Sequence, residues 1–268
     1  MPHVAVEGRR LYYEIHGEHS GPPLVLLTGA GGACRGWLAL QVPEFARQRR
    51  TLIFDYPGVS ESEPYAGGFD TRALADTTAA LVDALEIEQA DFLGAFMGGM
   101  VAQQLALHHP DAVRRLILVG TYARPDAKRR LLVTQWGDLI GTNAPAHVQV
   151  RDRLLWTLSA ETLEQSDLVE SMMHAVSRDG PPMPAQVYQQ QCAACATHDV
   201  LDHLRKVEAH TLVLCGRNDR LTPPRLHREL ADELPHARLV TFPFAAHLVM
   251  LEAAERFNQT VLEFLEEE

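Results

Sequence analysis

The alternation of short apolar runs with longer helical patterns is the feature of this 268-residue chain that most constrains its fold. Runs with the length and β-branched or aliphatic content of strands occur at residues 4–6, 11–15, 24–28, 51–54, 91–95, 116–120, 211–215 and 239–242. Apolar residues repeat with helical periodicity at 37–47, 71–85, 98–108, 224–234 and 251–265. This alternation predicts an α/β fold, with an eight-stranded, mostly parallel sheet, helices on both faces and an antiparallel first hairpin.

Residues 124–200 interrupt the alternation. They contain helical patches but no run typical of a strand, and the patches are separated by turn-forming residues at 143–145 and 180–184. The sequence therefore predicts one α/β core made of residues 1–123 and 201–268. Residues 124–200 are predicted to form an all-helical lid inserted between the sixth and seventh strands.

The charge and the cysteines exclude several classes of function. The chain has 24 basic and 35 acidic residues, a net charge of −11 and no run of Lys or Arg long enough to suggest a phosphate-binding face, which argues against nucleic acid as a partner. No segment resembles a signal peptide or reaches the roughly 20 apolar residues of a membrane span. Cys192 and Cys195 have C-x-x-C spacing but lie in a helical, Gln- and Ala-rich stretch. We expect a cytoplasmic protein that acts on a small molecule, with no membrane partner, metal or cofactor.

Residues 93–99 read LGAFMGG and join a predicted strand to a predicted helix. This is the context of the G-x-S-x-G nucleophile elbow, in which a serine lies on a strained turn between two glycines. Gly94 and Gly98 occupy the glycine positions, and Phe96 stands where the serine is expected. A phenylalanine has no oxygen and cannot form an acyl-enzyme. The positive φ expected at this position is also unfavourable for a bulky residue.

Two further segments follow predicted strands at positions suited to a catalytic triad. Asp219 lies just after the seventh strand, and His247 lies between the eighth strand and the last helix. The order of nucleophile position, acid and histidine is that of the α/β-hydrolases. The chain resembles this superfamily, in its small single-domain bacterial form, essentially from end to end. The matching segments are residues 55–60, 94–99, 216–223 and 247–252.

The resemblance implies a role for each matching residue. Asp219 would orient the imidazole of His247 and stabilise its protonated form, while His247 would act as general base and acid. The backbone N–H groups of Ala30 and Met97 would form an oxyanion hole, which side-chain changes need not destroy. The alternative interpretations are that Asp219 is a turn residue and His247 a helix-cap histidine.

Four residues are candidates for the substrate pocket. Thr28 stands where the family often has a histidine, and Tyr56 lies in the loop after the fourth strand, where Ser60 is a further departure from the family pattern. Trp136 and Trp156 are the lid candidates, although aromatic residues of a lid can instead pack within it. The lid composition, with no basic residues converging near the elbow, predicts a small to medium, largely apolar substrate.

Three functions remain open at this stage. The favoured hypothesis is non-covalent acid–base chemistry by His247 and Asp219 on a carbonyl compound, as in the lyases, cyclases and cofactor-free oxygenases of this fold. The second is an ester, lactone or thioester hydrolase lineage whose nucleophilic serine is replaced by Phe96. The third is a non-catalytic protein that binds a small ligand. Ordinary serine hydrolysis is excluded unless another residue, such as Cys34 or Ser60, replaces the nucleophile.

Overall fold

One mixed sheet organises the structure, a computed structural model that describes residues 2–142, 144–179 and 183–267, with backbone only for 174–179. Its strands are β1 (His3–Val6), β2 (Arg9–His16), β3 (Leu24–Leu27), β4 (Thr51–Phe54), β5 (Ala90–Ala95), β6 (Val113–Val119), β7 (His210–Gly216) and β8 (Ala237–Phe242). They lie in the order β1-β2-β4-β3-β5-β6-β7-β8. The β1–β2 and β2–β4 pairs are antiparallel, and all other neighbours are parallel. The predicted α/β fold and sheet are therefore confirmed.

The α-helices connect and cover these strands. They are α1 (Val42–Phe45), α2 (Thr71–Ala84), α3 (Met97–His108), α4 (Ala127–Ile140), α5 (Ala146–Thr157), α6 (Ala160–Leu163), α7 (Ser166–Asp179), α8 (Ala185–Thr197), α9 (Pro224–Glu233), α10 (Val249–Glu252) and α11 (Ala254–Glu266). Short 3-10 turns occupy Cys34–Leu38, Pro110–Ala112 and Leu201–Lys206. None of the helices within the described ranges combines the length and apolar character needed to cross a bilayer.

Two predicted helices are each divided in the structure. The helix predicted at 37–47 is a 3-10 turn followed by α1, because Pro43 lies in the first turn of α1, and its ring cannot continue a helix from the preceding residues. The helix predicted at 251–265 is divided into α10 and α11 at Ala253, whose φ of −137° and ψ of 42° are not helical. Both divisions depend on local backbone geometry that apolar periodicity does not report.

The core has two layers, one on each face of the sheet. On β3, Leu24 and Leu26 belong to the layer that includes residues of α1 and α11, while Val25 and Leu27 belong to the layer with α2 and α3. All four side chains are fully buried. Successive side chains of a strand point to opposite faces of the sheet. Because both faces are buried here, every residue of the run is apolar.

Helices α4–α8 form an insertion between β6 and β7, and α4 packs along α8. Pro145 and Pro184 are the N-cap residues of α5 and α8, so the predicted breaks separate helices as expected. Asn143 and residues 180–182, which belong to those predicted breaks, lie outside the described residues. No strand occurs in the part of the insertion that is described.

Candidate active site

Phe96 forms the turn between β5 and α3. Its φ of 48° and ψ of −107° lie in a region that bulky residues avoid. Two hydrogen bonds to β6 and the residues after it hold this backbone: Phe96 N–H donates to the carbonyl of Val119 at 2.9 Å, and the hydroxyl of Thr121 donates to the carbonyl of Phe96 at 2.8 Å. The strained turn is thus fixed through the main chain of Phe96 rather than through its ring.

The two glycines around Phe96 are required by close backbone approach. A Cβ atom on Gly94 would overlap the carbonyl of Gly98, and one on Gly98 would overlap the carbonyl of Leu27. Gly94 lies near the end of β5 and Gly98 in the first turn of α3, so the turn brings the helix directly onto the strand. Any side chain at either position would force the turn apart.

His247 and Asp219 form a hydrogen-bonded pair. His247 Nδ1 lies 2.9 Å from Asp219 Oδ2, and both residues are buried. Thr222 supports the carboxylate: its N–H donates to Oδ1 and its hydroxyl to Oδ2, each at 2.7 Å. Burial acts to raise the pKa of Asp219, but its electrostatic interaction and hydrogen bond with His247, together with the contributions of His227 and Thr222, outweigh burial and hold that pKa below its ordinary value. An ionised Asp219 keeps the proton on Nδ1, which leaves Nε2 available to a substrate.

The topology explains why these two residues meet. Asp219 follows β7 and His247 follows β8, and the carboxyl ends of neighbouring parallel strands lie at the same edge of a sheet. Gly120, at the end of β6 with a φ of 54°, lies against the imidazole. A Cβ atom there would be 2.9 Å from His247 Cε1, so the glycine makes room for the ring.

The loop that carries His247 is tied to the helical insertion. His247 N–H donates to the carbonyl of Thr157, the last residue of α5, at 3.1 Å. The Glu252 carboxylate accepts from Ser159 N–H at 2.7 Å and from Ala246 N–H at 2.5 Å. We call this pair of bonds the Glu252 bridge. A displacement of the α5–α6 connection would therefore also displace the loop that carries His247.

Two backbone N–H groups lie beside the turn. Ala30 is in the loop after β3, where a Cβ atom on the adjacent Gly29 would lie 3.5 Å from the Cβ of Phe96. Within the described ranges, the N–H of Ala30 has no acceptor. Met97 is the first residue of α3, so its N–H has no intrahelical acceptor. These groups are donors suited to a negatively charged oxygen.

The candidate active site borders a cavity of about 380 Å³ with mostly apolar walls. Thr28, Ala30, Phe96 and His247 line it from the core, and Trp136 lines it from α4. The Phe96 ring lies edge-on to the imidazole of His247 and is 6% exposed. Of the four residues predicted to line the pocket, Thr28 and Trp136 are therefore in the cavity wall.

The other two predicted pocket residues lie elsewhere, which corrects the prediction. Tyr56 is buried in the core with its ring edge-on to Phe54 at a centroid distance of 5.2 Å. Trp156 borders a separate, more polar depression, where Lys128 Nζ lies 5.1 Å from its ring centroid. Thr157 of α5 faces the cavity, and the residue before it on a helix points about 100° away.

Sequence reasoning missed Arg153, one turn before Thr157 on α5. It lines the cavity and lies near the loop after β3. The expectation that no basic residue converges near the elbow is therefore wrong. The only available signal was the i, i+4 spacing of Arg153 and Thr157, which does not reveal which side of an inserted helix faces the core.

The alternative nucleophiles are poorly suited to that role. Burial, followed by the charge of Asp55, raises the pKa of the Cys34 thiol, which keeps it protonated. Ser60 is exposed to solvent. Cys192 and Cys195 line the cavity, but burial raises the pKa of Cys192 to about 12 and raises that of Cys195 well above its ordinary value. None of these four side chains is activated as an anion.

Comparison with known proteins agrees with this geometry. The alpha/beta hydrolase fold family matches residues 22–254, so the chain belongs to that family. It is 34% identical over 261 residues to a Mycobacterium tuberculosis protein provisionally named non-heme bromoperoxidase BpoC, covering 95% of this chain and 97% of that protein. It is 31% identical over 264 residues to the 2-hydroxymuconate semialdehyde hydrolase of Pseudomonas sp. strain CF600, covering 94% and 90% respectively.

A solved structure gives the same result for the fold. The enol-lactonase of Burkholderia xenovorans LB400 superposes with a TM-score of 0.88 at 29% sequence identity, covering 99% of this chain and 100% of the other. The similarity extends over the core and the helical insertion alike, because almost the whole of both chains is covered. The resemblance inferred from the sequence is therefore confirmed at the level of the family.

Proposed function

We propose that this chain belongs to a hydrolase lineage acting on esters, lactones or related acyl compounds, and that Phe96 occupies the position of the lineage's nucleophilic serine. The observation that carries the proposal is the 2.9 Å hydrogen bond between His247 and Asp219 beside the glycine-flanked turn. The names of the relatives, a semialdehyde hydrolase and an enol-lactonase, support hydrolysis over the lyase, cyclase and oxygenase reactions favoured from the sequence.

Without a serine, the attacking group in this chain is a water molecule. His247 Nε2 removes a proton from that water as its oxygen bonds to the substrate carbonyl carbon. The carbonyl oxygen becomes negatively charged and accepts hydrogen bonds from the N–H groups of Ala30 and Met97. Asp219 stabilises the imidazolium, which then donates its proton to the departing alcohol oxygen as the carbon–oxygen bond breaks. The products are a carboxylic acid and an alcohol, with His247 restored.

The helical insertion at 124–200 acts as a lid over this reaction, and residues 1–123 and 201–268 form the catalytic core. Trp136 of α4 and Tyr188 of α8 contribute apolar wall to the cavity, which limits the access of bulk water. The Glu252 bridge joins the lid to the loop of His247, so substrate entry is coupled to the position of the base.

The experiment compares the chain as it stands with three variants on a panel of p-nitrophenyl esters and lactones. Phe96→Ser is expected to give a burst of product followed by steady turnover, because it returns an oxygen beside the base. Phe96→Ala is the matched control, since it removes the ring without supplying an oxygen. His247→Ala is expected to lower the hydrolysis catalysed by the starting chain by about 10²–10⁴-fold.

Two outcomes would overturn the proposal. The first is the absence of ester or lactone hydrolysis in both the starting chain and Phe96→Ser. The second is equal activity in Phe96→Ser and Phe96→Ala, which would mean that relief of crowding, not a nucleophile, produced the gain. A ligand retained through purification together with the first outcome would identify a binding protein instead.

A further inference from the structure

Arg153 places a cation in the wall of an otherwise apolar cavity. The residue is partly buried on α5, and its guanidinium carbon lies 5.4 Å from the ring centroid of Tyr188. Arg153 and His247 are the only basic side chains among the described residues that line the cavity. A cation–π contact of this kind offsets part of the cost of desolvating the charge. The guanidinium also makes a hydrogen bond with the Tyr188 side chain, which uses only part of its five N–H donors.

Among the described residues, Arg153 has no carboxylate partner. Two arginines at the start of the insertion are paired: Arg124 with Asp199 at 2.8 Å and Arg129 with Asp126 at 2.9 Å. In contrast, no carboxylate of the described chain lies within ion-pair distance of Arg153, and none of the described cavity-lining residues is acidic. A guanidinium without a carboxylate partner in the wall of an apolar cavity is available to an anion that enters the cavity.

The position of Arg153 relates this charge to the proposed site of reaction. Its Nη1 atom would lie 3.7 Å from a Cβ atom on Gly31, the residue that follows Ala30. Ala30 supplies one of the N–H donors proposed to hold the reacting carbonyl oxygen. A group bound by Arg153 would therefore lie within a few bonds of that carbonyl in a small molecule.

We propose that Arg153 forms a carboxylate-binding subsite, and that the substrates are small acyl compounds carrying a carboxylate a few bonds from the reacting carbonyl. The assignment of the carbonyl position rests on the proposed function; the binding of the carboxylate does not. A guanidinium binds a carboxylate through two parallel N–H···O bonds, which orients the ligand as well as holding it. The mostly apolar walls then accommodate the chain between the two groups.

The binding experiment uses ligands that cannot be hydrolysed at an ester. Calorimetry measures the affinity of the chain as it stands for 5-oxohexanoate and for its neutral amide, 5-oxohexanamide. The anion is expected to bind roughly 10- to 100-fold more tightly, the range given by a hydrogen bond to a charged group. Arg153→Met should remove this preference, whereas Arg153→Lys should keep part of it, because a single charge remains without the bidentate geometry.

Arg151→Met is the matched control. Arg151 is exposed and lies two residues away on the same helix, so its replacement changes the net charge equally without changing the cavity. Equal loss of anion preference in Arg151→Met and Arg153→Met would overturn the subsite, because the effect would then be general electrostatics. No preference for the anion in the starting chain would overturn it as well. Thermal unfolding of each variant shows whether the fold is retained, and Arg153→Lys provides the test if Arg153→Met does not fold.

A second measurement separates this inference from the proposed function. In the Phe96→Ser background, monomethyl glutarate and dimethyl glutarate are compared with and without Arg153→Met. Loss of the preference for the half-ester in Arg153→Met supports both proposals. If Phe96→Ser hydrolyses both esters with no effect of Arg153→Met, the subsite fails while the hydrolase lineage stands. If no ester is hydrolysed but 5-oxohexanoate still binds through Arg153, the subsite stands alone.

Discussion

Gly120 lies directly against His247, so that a Cβ atom at residue 120 would be 2.9 Å from Cε1 of the imidazole. The same glycine has a φ of 54°, in the left-handed region that favours glycine. The backbone at the end of β6 therefore sets both the position of the ring and the space in which it can turn.

Gly120→Ala is expected to destabilise the fold and to lower turnover. The left-handed conformation costs an alanine roughly 1–2 kcal/mol, and the added methyl group also displaces the imidazole. Gly8→Ala is the matched control, because Gly8 has a φ of 80° but no atom within 4 Å of its Cβ position. Urea unfolding should give a similar backbone cost for both variants, while only Gly120→Ala should lower ester turnover in the Phe96→Ser background. Equal turnover in the two variants would contradict this prediction.

Thr222→Val is expected to lower turnover about tenfold, the value of one hydrogen bond of roughly 1–1.5 kcal/mol. The change removes the hydroxyl that donates to Asp219 Oδ2 but keeps the N–H that donates to Oδ1. Losing a donor to the charged carboxylate also raises the pKa of Asp219. Thr222→Ser keeps the hydroxyl and should behave like the starting chain. Turnover and its pH profile in the Phe96→Ser background provide the measurement, and equal losses in Val and Ser variants would reject the role.

Breaking the Glu252 bridge is expected to loosen the connection between insertion and core. In Glu252→Gln, the amide NH₂ group faces one of the two N–H donors that the carboxylate now accepts, either Ser159 or Ala246. A buried donor left without an acceptor costs about 1–3 kcal/mol. Faster hydrogen exchange at the amide of Ser159 or of Ala246, with a lower free energy of unfolding, is the expected result. Glu255→Gln, an exposed position three residues later, should change neither quantity.

Two buried histidines make the fold sensitive to acid. Burial lowers the pKa of His198 to about 3 and that of His227 to about 4. Below the unfolded value of about 6.5, the unfolded chain takes up protons that the folded protein does not, so the free energy of unfolding falls as the pH is lowered. Each histidine contributes a slope of at most about 1.4 kcal/mol per pH unit, and its contribution is fully present above the unfolded pKa.

The test for this acid sensitivity is His198→Gln. Urea unfolding between pH values of about 6.5 and 4 should show a shallower loss of stability in this variant, because one of the two sites no longer binds a proton. His147→Gln, at an exposed position, provides the control and should keep the slope of the starting chain. If the slopes of all three proteins coincide, the buried imidazole of His198 does not contribute.

The sequence predicts the centre of the sheet well because β3 to β7 are buried on both faces, and such strands are continuous apolar runs in any environment. Leu24 and Val25 face opposite layers and are equally buried, so the prediction needed no knowledge of packing. The strained turn at Phe96 was also predictable, since two glycines with close backbone neighbours mark it. Which face of α5 contacts the core was not predictable, and the placements of Arg153 and Trp156 were missed for that reason. Helix orientation in an insertion depends on tertiary contacts that a single periodic pattern does not contain.

The hydrogen bonds that fix the turn at Phe96 all involve its main chain, and neither neighbouring glycine contributes a side chain. The shape of the turn is therefore independent of which side chain residue 96 carries. In evolutionary terms, the position is free to change chemistry while its surroundings stay folded, and a single substitution can be reversed without compensating changes elsewhere. A scaffold of this kind would hold a serine at residue 96 in the same turn for as long as the glycines and the paired acid and base remain.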